Sequence, residues 1–212
     1  MIKRTIGKLW LTAFGWQCDG PPPPYKKFVL IAAPHTSGWD LPFMLATSYV
    51  MEVPISWMGK HTLFRPPFGW FMKFLGGIPI DRRSRHKVVE RAIEELERSG
   101  DLVLAVPAEG TRAKVDFWKS GFYHIARGAN VPIGLGFLDF ERKVCGLTHF
   151  VVPTGDVRAD MDQIRAFYRD IRGKFPEWES VPRLREEAEA EAEAGEALDP
   201  RRALDAGAAL AD

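Results

Sequence analysis

The stretch Phe28-Val29-Leu30-Ile31-Ala32-Ala33-Pro34-His35-Thr36-Ser37-Gly38-Trp39-Asp40 reads as a buried strand, a polar loop and the start of a helix. Two titratable residues follow the strand, His35 and Asp40, five positions apart. On a straight helix five residues turn about 500°, leaving the two side chains about 140° apart, so they would not share a face. They meet if His35 sits in the loop and Asp40 in the first helical turn, with Thr36 or Ser37 as the N-cap. Asp40 would then accept the proton of one imidazole nitrogen, and the other nitrogen would be free to act as a base near neutral pH. This is the base and orienter of a catalytic triad without its protein nucleophile, so the nucleophile would be a hydroxyl of the substrate. With five His and 13 Asp in 212 residues, such a spacing arises by chance in roughly one chain in three or four. Its position after a strand is what gives it weight.

Outward from this stretch the chain alternates. Strand-like runs cover 28–33, 53–58, 78–80, 102–106, 131–137 and 143–148, and helix-like runs cover 40–50, 67–75, 87–99, 119–128 and 160–174. In 87–99, Val88, Val89, Ala92, Ile93 and Leu96 line one face and Gly100 supplies a stop. The alternation predicts an α/β fold with a mixed, largely parallel sheet flanked by helices. A second polar cluster, Glu109-Gly110-Thr111-Arg112, follows the strand-like run Leu102–Val106. Polar clusters just past the ends of buried strands are where α/β sheets place shared sites. A third segment, Gly76-Gly77-Ile78-Pro79-Ile80-Asp81-Arg82-Arg83, puts glycines, a short strand and arginines in sequence. Gly lets backbone approach a ligand closely, and Arg offers a planar fork to phosphate oxygens.

Residues 1–20 predict an amphipathic helix, with Ile2, Ile6, Leu9, Trp10, Ala13 and Phe14 near one face and Lys3, Arg4 and Lys8 between them. Two readings stand level: a helix lying in a membrane interface, or one packed on the protein's own core. The run Pro21 to Pro24 makes 21–27 a stiff connector that would set this helix apart from the main domain, 28–182. Residues 183–212 form an acidic Glu/Ala-rich tail with almost no apolar face, read as a solvated, partly helical or disordered extension. The net charge of +1 divides into −5 from Arg183 onward and +6 before it, a basic body suited to anionic partners. No apolar run reaches the length of a membrane span, and the N-terminus lacks a signal-peptide pattern. Cys18 and Cys145 have no metal-ligand spacing and imply no disulfide framework, so both read as free thiols.

The ordered set His35-x4-Asp40, Gly76-x-Ile-x-Ile-Asp-Arg, Glu109-Gly-Thr-Arg and Val131-Pro132-Ile133 resembles the four blocks of the glycerolipid acyltransferases, which acylate glycerol 3-phosphate and lysophosphatidic acid. Pro67-Phe68-Gly69-Trp70 is similar to the family's link between its first two blocks. The resemblance covers roughly residues 28–140. It departs from the family at Pro34, where an Asn is usual, and at Pro107-Ala108, where Phe-Pro is common. The resemblance implies His35 as general base and Asp40 as its orienter. It implies Arg82 and Arg112 as the grip on the acceptor's phosphate, with Glu109, Gly110 and Thr111 shaping that pocket. Val131-Pro132-Ile133 would help line the acyl-donor side, and Lys60 would approach the site. No metal or cofactor is expected; the donor is an acyl thioester, acyl-CoA or acyl carrier protein. The acceptor is a phosphate-bearing glycerolipid, and the setting is cytoplasmic, peripheral at the inner face of the cell membrane, without nucleic acid.

In the expected reaction His35 deprotonates the acceptor hydroxyl as its oxygen attacks the thioester carbonyl, and backbone N–H groups near Ser37-Gly38 receive the oxyanion. A serine hydrolase is disfavoured because no Gly-x-Ser-x-Gly is present, and a dinucleotide enzyme because Gly134-Leu135-Gly136 lacks its third glycine. A thioesterase on the same scaffold and a lipid-binding module using Arg82-Arg83-Ser84-Arg85-His86-Lys87 are the remaining alternatives.

Overall fold

The computed structural model describes residues 2–80 and 85–197. In chain order the elements are α1 (Ile2–Ala13), β1 (Gln17–Asp19), β2 (Lys27–Ala33), α2 (Asp40–Met51), β3 (Ile55–Lys60), α3 (Gly69–Phe74), β4 (Gly77–Ile80), α4 (Arg85–Arg98), β5 (Leu102–Ala105), α5 (Gly121–Gly128), β6 (Ile133–Asp139), β7 (Val144–Val151), α6 (Val157–Tyr168) and α7 (Arg185–Ala197). Seven strands form one sheet in the order β1-β7-β6-β2-β5-β3-β4. Every pairing is parallel except β6 with β7, which are joined by a tight antiparallel turn. The α/β expectation therefore holds, and the short edge strand β1 is an addition that three residues of sequence did not signal.

Strand β2 lies in the middle and is buried on both faces. Val29, Ile31 and Ala33 join the larger core beneath α4, α5 and α6, while Phe28 and Leu30 face the α2 side. This two-sided burial is why its sequence is a continuous apolar run rather than an alternating one. Parallel strands β2, β5, β3 and β4 are neighbours, so their C-terminal ends share one edge of the sheet. The segments carrying His35, Glu109–Arg112 and Lys60 all leave from that edge, and β4 ends there at Ile80.

The N-terminal helix is not set apart from the body. Helix α1 packs along α2, and Leu11 and Trp16 enter a core with Phe43, Leu138 and Cys145. Its buried line runs through Gly7 and Leu11, not through Ile2, Ile6 and Leu9, which face outward. Gly7 explains the difference: a Cβ there would come within 2.6 Å of the Ala46 carbonyl oxygen, so the two helices approach where a side chain is missing. Pro21–Pro24 instead lie in the link from edge strand β1, past β7 and β6 in sheet order, to β2. No helix among the described residues is long and apolar enough to cross a membrane.

The acidic tail is helical over α7, within the partly helical reading, but its start is docked rather than solvated. Leu184 is buried, and Glu187 accepts the Leu184 N–H at 2.7 Å and pairs with Arg165 of α6 at 2.8 Å. The tail holds by one apolar residue and a partnered charge, which composition alone does not reveal. Residues 198–212 lie outside the described part.

Candidate active site

His35 sits in the loop after β2, and Asp40 opens α2. His35 Nδ1 and Asp40 Oδ2 are 2.8 Å apart. The carboxylate is nearly buried and the imidazole about one-third exposed. Asp40 accepts the Nδ1 proton, which fixes the tautomer and leaves the Nε2 lone pair as a proton acceptor. Asp40 Oδ2 also accepts the Ser37 N–H at 3.0 Å, so the carboxylate is aimed by the loop it closes. Its second oxygen, Oδ1, is buried without a hydrogen-bond partner among the described residues.

Two expected details differ. Neither Thr36 nor Ser37 caps α2; Trp39 occupies that position with no side-chain cap. Ser37 Oγ accepts the Trp39 N–H at 3.1 Å, and the fully buried Thr36 accepts the Phe175 N–H at 3.2 Å. Thr36 thus anchors the loop to the segment after α6. Gly173 permits this closeness, since a Cβ there would fall 2.7 Å from Thr36 Oγ1. The Ser37 amide is committed to Asp40, which removes it as an oxyanion donor.

The second cluster arrives from the end of β5, but its members part company. Glu109 is buried, and its Oε2 accepts the His35 backbone N–H at 3.1 Å. Burial, the largest influence, pushes its carboxyl up to about 7, against the lowering effects of the His35 N–H and imidazole. It braces the loop that carries His35. Gly110 takes φ +72°, a left-handed conformation that favours glycine. This turn sends Thr111 and Arg112 to the exposed surface. Arg112 reaches back over the loop: a Cβ on Gly38 would lie 3.1 Å from its Nη1. Lys60 is exposed at the end of β3, beside its register partner Ile80 of β4. Arg82 follows Ile80 but lies outside the described residues, as do Arg83 and Ser84. Val131 and Ile133 belong to the core on the far side of the sheet from α2, so the donor-lining role expected of Val131-Pro132-Ile133 does not match their burial among α5 and α6 residues.

His35 and Asp40 line an apolar cavity of about 230 Å³ between α2 and the sheet. Its walls include Leu30, Leu41, Met44, Trp57 and Met58. A smaller space of about 40 Å³ adjoins it, sharing Leu30, Met44 and Leu138 and reaching Val53 and Ile55. The sequence did not flag these residues, because a cavity wall has the same apolar composition as a filled core. On the opposite face Glu109 borders a second, more polar cavity with Tyr168 and Arg172. Among the described residues, no group of three or more His, Cys, Asp or Glu is placed to hold a metal ion.

A family model described as Acyltransferase matches residues 20–134. No curated protein matches the chain. Among solved structures, the chain is similar to the 1-acyl-sn-glycerophosphate (LPA) acyltransferase PlsC from Thermotoga maritima, with a TM-score of 0.59 and 20% identity. That similarity covers 79% of this chain and 77% of the other, and it is a likeness of fold.

Proposed function

The chain belongs to the Acyltransferase family, and from that premise we propose that it moves a fatty acyl group from an acyl thioester to a glycerolipid hydroxyl. The donor is acyl-CoA or acyl carrier protein. The acceptor is a glycerol phosphate or lysophospholipid, with 1-acylglycerol-3-phosphate the leading candidate. The observation that carries this reading is a single juxtaposition: an imidazole oriented by Asp40 at 2.8 Å stands at the wall of an apolar cavity. A hydrocarbon chain suits such a lining, and the reacting carbonyl would then rest beside Nε2.

His35 Nε2 takes the acceptor's hydroxyl proton as the oxygen attacks the thioester carbonyl. Asp40 stabilises the imidazolium that forms, and the tetrahedral oxyanion lies toward the Gly38 turn and Arg112. Collapse expels the thiolate, and imidazolium returns the proton to it. A positioned base contributes about 10²–10⁴-fold, so binding of the acceptor's phosphate near the base must supply much of the remainder. Arg112, Arg82 and Lys60 are the cations assigned to that phosphate; Lys60 ends β3 and Arg112 follows β5, both at the C-terminal edge of the parallel strands. Gly110 and Thr111 set the Arg112 turn.

We place this reaction at a membrane surface, on the cytoplasmic face. Ile2, Ile6 and Leu9 of α1 are exposed, as are Phe68, Trp70, Phe71 and Phe74 at α3. The two helices adjoin, since Lys3 Nζ lies 5.6 Å from the Phe74 ring. Aromatic side chains with interleaved Lys and Arg suit the head-group region. No metal or cofactor is assigned.

The test is turnover by the purified protein with one acyl-CoA and a panel of acceptors: glycerol 3-phosphate, 1-acylglycerol-3-phosphate, other lysophospholipids and none. Acceptor-dependent formation of an acylated glycerolipid is expected. Release of free fatty acid at the same rate with and without acceptor would make the protein a thioesterase and overturn the reading.

A further inference from the structure

Cys18 and Cys145 take no part in acyl transfer, and most of the domain separates them in sequence. The fold makes them direct register partners in the neighbouring parallel strands β1 and β7. Adjacent strands run about 4.8 Å apart, within the roughly 4.4–6.8 Å between Cα atoms that a disulfide spans. Register partners in a parallel pair project from the same face. Here that face is covered by α1 and α2, where both residues pack with Leu11, Trp16 and Phe43. Cys145 Sγ donates to the Gln17 carbonyl oxygen at 3.4 Å, on the strand that carries Cys18.

The pair is asymmetric. Cys145 is fully buried, whereas Cys18 is partly accessible. The neighbouring Cys145 thiol draws the Cys18 pKa down in spite of burial, while the Cys18 thiol and burial drive Cys145 up. Cys18 is therefore the thiol that meets a reagent and ionises, with Cys145 directly behind it. An edge strand of three residues holds the chain just after α1, so a bond at this point would fix both to the sheet.

We propose that Cys18 and Cys145 form a reversible intramolecular disulfide, a redox modification site that locks β1 and α1 onto the body. The oxidant is a small-molecule disulfide, RSSR. The Cys18 thiolate attacks one sulfur of RSSR, the S–S bond breaks, and RS⁻ leaves and takes up the proton that Cys18 released. Cys145 then loses its proton and attacks Cys18 Sγ, expelling a second RS⁻, which is protonated in turn. Two protein thiols are oxidised and one RSSR is reduced to two RSH.

The full chain is incubated with oxidised glutathione, and its thiols are counted in denaturant, with non-reduced peptides mapped by mass spectrometry. The expected product has lost both thiols and two hydrogens, with the Cys18 and Cys145 peptides joined within one monomer, and dithiothreitol reverses it. Cys145→Ser is expected to stop at one glutathione on Cys18. A stable glutathione adduct on Cys18 of the unsubstituted protein would overturn the proposal, as would a disulfide between two chains. So would two unreacted thiols under conditions that modify the Cys145→Ser variant.

Discussion

Glu109 accepts the backbone N–H of His35 at 3.1 Å, so a carboxylate 74 residues downstream holds the loop that carries the base. The sequence pattern groups Glu109 with phosphate-binding residues, yet a buried acidic side chain would repel a phosphate. Its placement makes it a support for His35, while Arg112, three residues later, faces the surface.

This relationship has a pH signature. Burial pushes the Glu109 carboxyl from 4.5 up to about 7. The folded protein then binds more protons than the unfolded chain between these values, so stability is greatest below the unfolded pKa and falls as pH rises toward about 7. The decline attributable to this group is at most about 3 kcal/mol. Glu109→Gln keeps an acceptor for the His35 N–H and removes the titration. Urea unfolding across this range should show a declining stability in the parent protein and a flatter profile in the variant; coincident profiles would exclude Glu109 as the source.

His35→Ala should lower kcat by roughly 10²–10⁴ while the fold survives, because the imidazole is partly exposed and its removal leaves no buried void comparable to a core truncation. Asp40→Asn should also lower kcat strongly, since an amide cannot hold the same tautomer or stabilise imidazolium as well. Circular dichroism separates loss of catalysis from loss of fold. Near-parental turnover in His35→Ala would remove the base assignment.

Arg112→Ala should raise the acceptor KM more than the thioester KM. Gly38→Ala offers a milder version, because its Cβ would press the Arg112 guanidinium from 3.1 Å and shift it slightly. Steady-state kinetics with each substrate varied in turn give the answer. A change confined to the donor KM would reassign Arg112 to the donor's phosphates.

Met44 lines both the larger cavity and the space adjoining it. Met44→Phe should narrow the connection and shift preference toward shorter acyl chains, readable by competition between thioesters of different length. A one-methylene difference in an apolar pocket is worth about 1–3 kcal/mol, so the change in selectivity should be of order tenfold or more. An unchanged length profile would place the chain elsewhere.

Trp70 and Phe74 are about 72% and 65% exposed, far more than large aromatic side chains need to be. Replacing both with Ser should weaken binding to anionic phospholipid vesicles by about tenfold or more, at roughly 1.5–3 kcal/mol for each large apolar side chain buried. Sedimentation with vesicles measures this, and thermal stability should change little. Equal vesicle binding by parent and variant would separate α3 from the membrane.

Much of the fold was legible because its signals are local. The apolar runs that became β2, β5 and β6 are long enough to be recognised singly, and the helical spacing of 87–99 survives as α4. The small strand β1 was not legible, since three residues gain their strand character from pairing with β7. The buried face of α1 was misread because a glycine, which scores as nothing in a hydrophobic pattern, made the contact. The docking of the tail's start is not legible because it rests on Leu184 and the pair of buried Glu187 with Arg165, and a paired charge looks like a solvated one in sequence.

Within the site, sequence fixed the residue types and their order after successive strands: a base, a carboxylate five residues on, and cations downstream. A parallel sheet then has to bring such segments to one edge, because all its strands end in the same direction. Tertiary structure settled what those residues touch. It turned Glu109 inward to the His35 amide and Arg112 outward over Gly38, and it opened an apolar cavity beside the imidazole. It also set Cys18 against Cys145. The reason is physical: a strand or helix forms from neighbours along the chain, whereas burial, cavities and partners across the sheet depend on segments that the linear order keeps far apart.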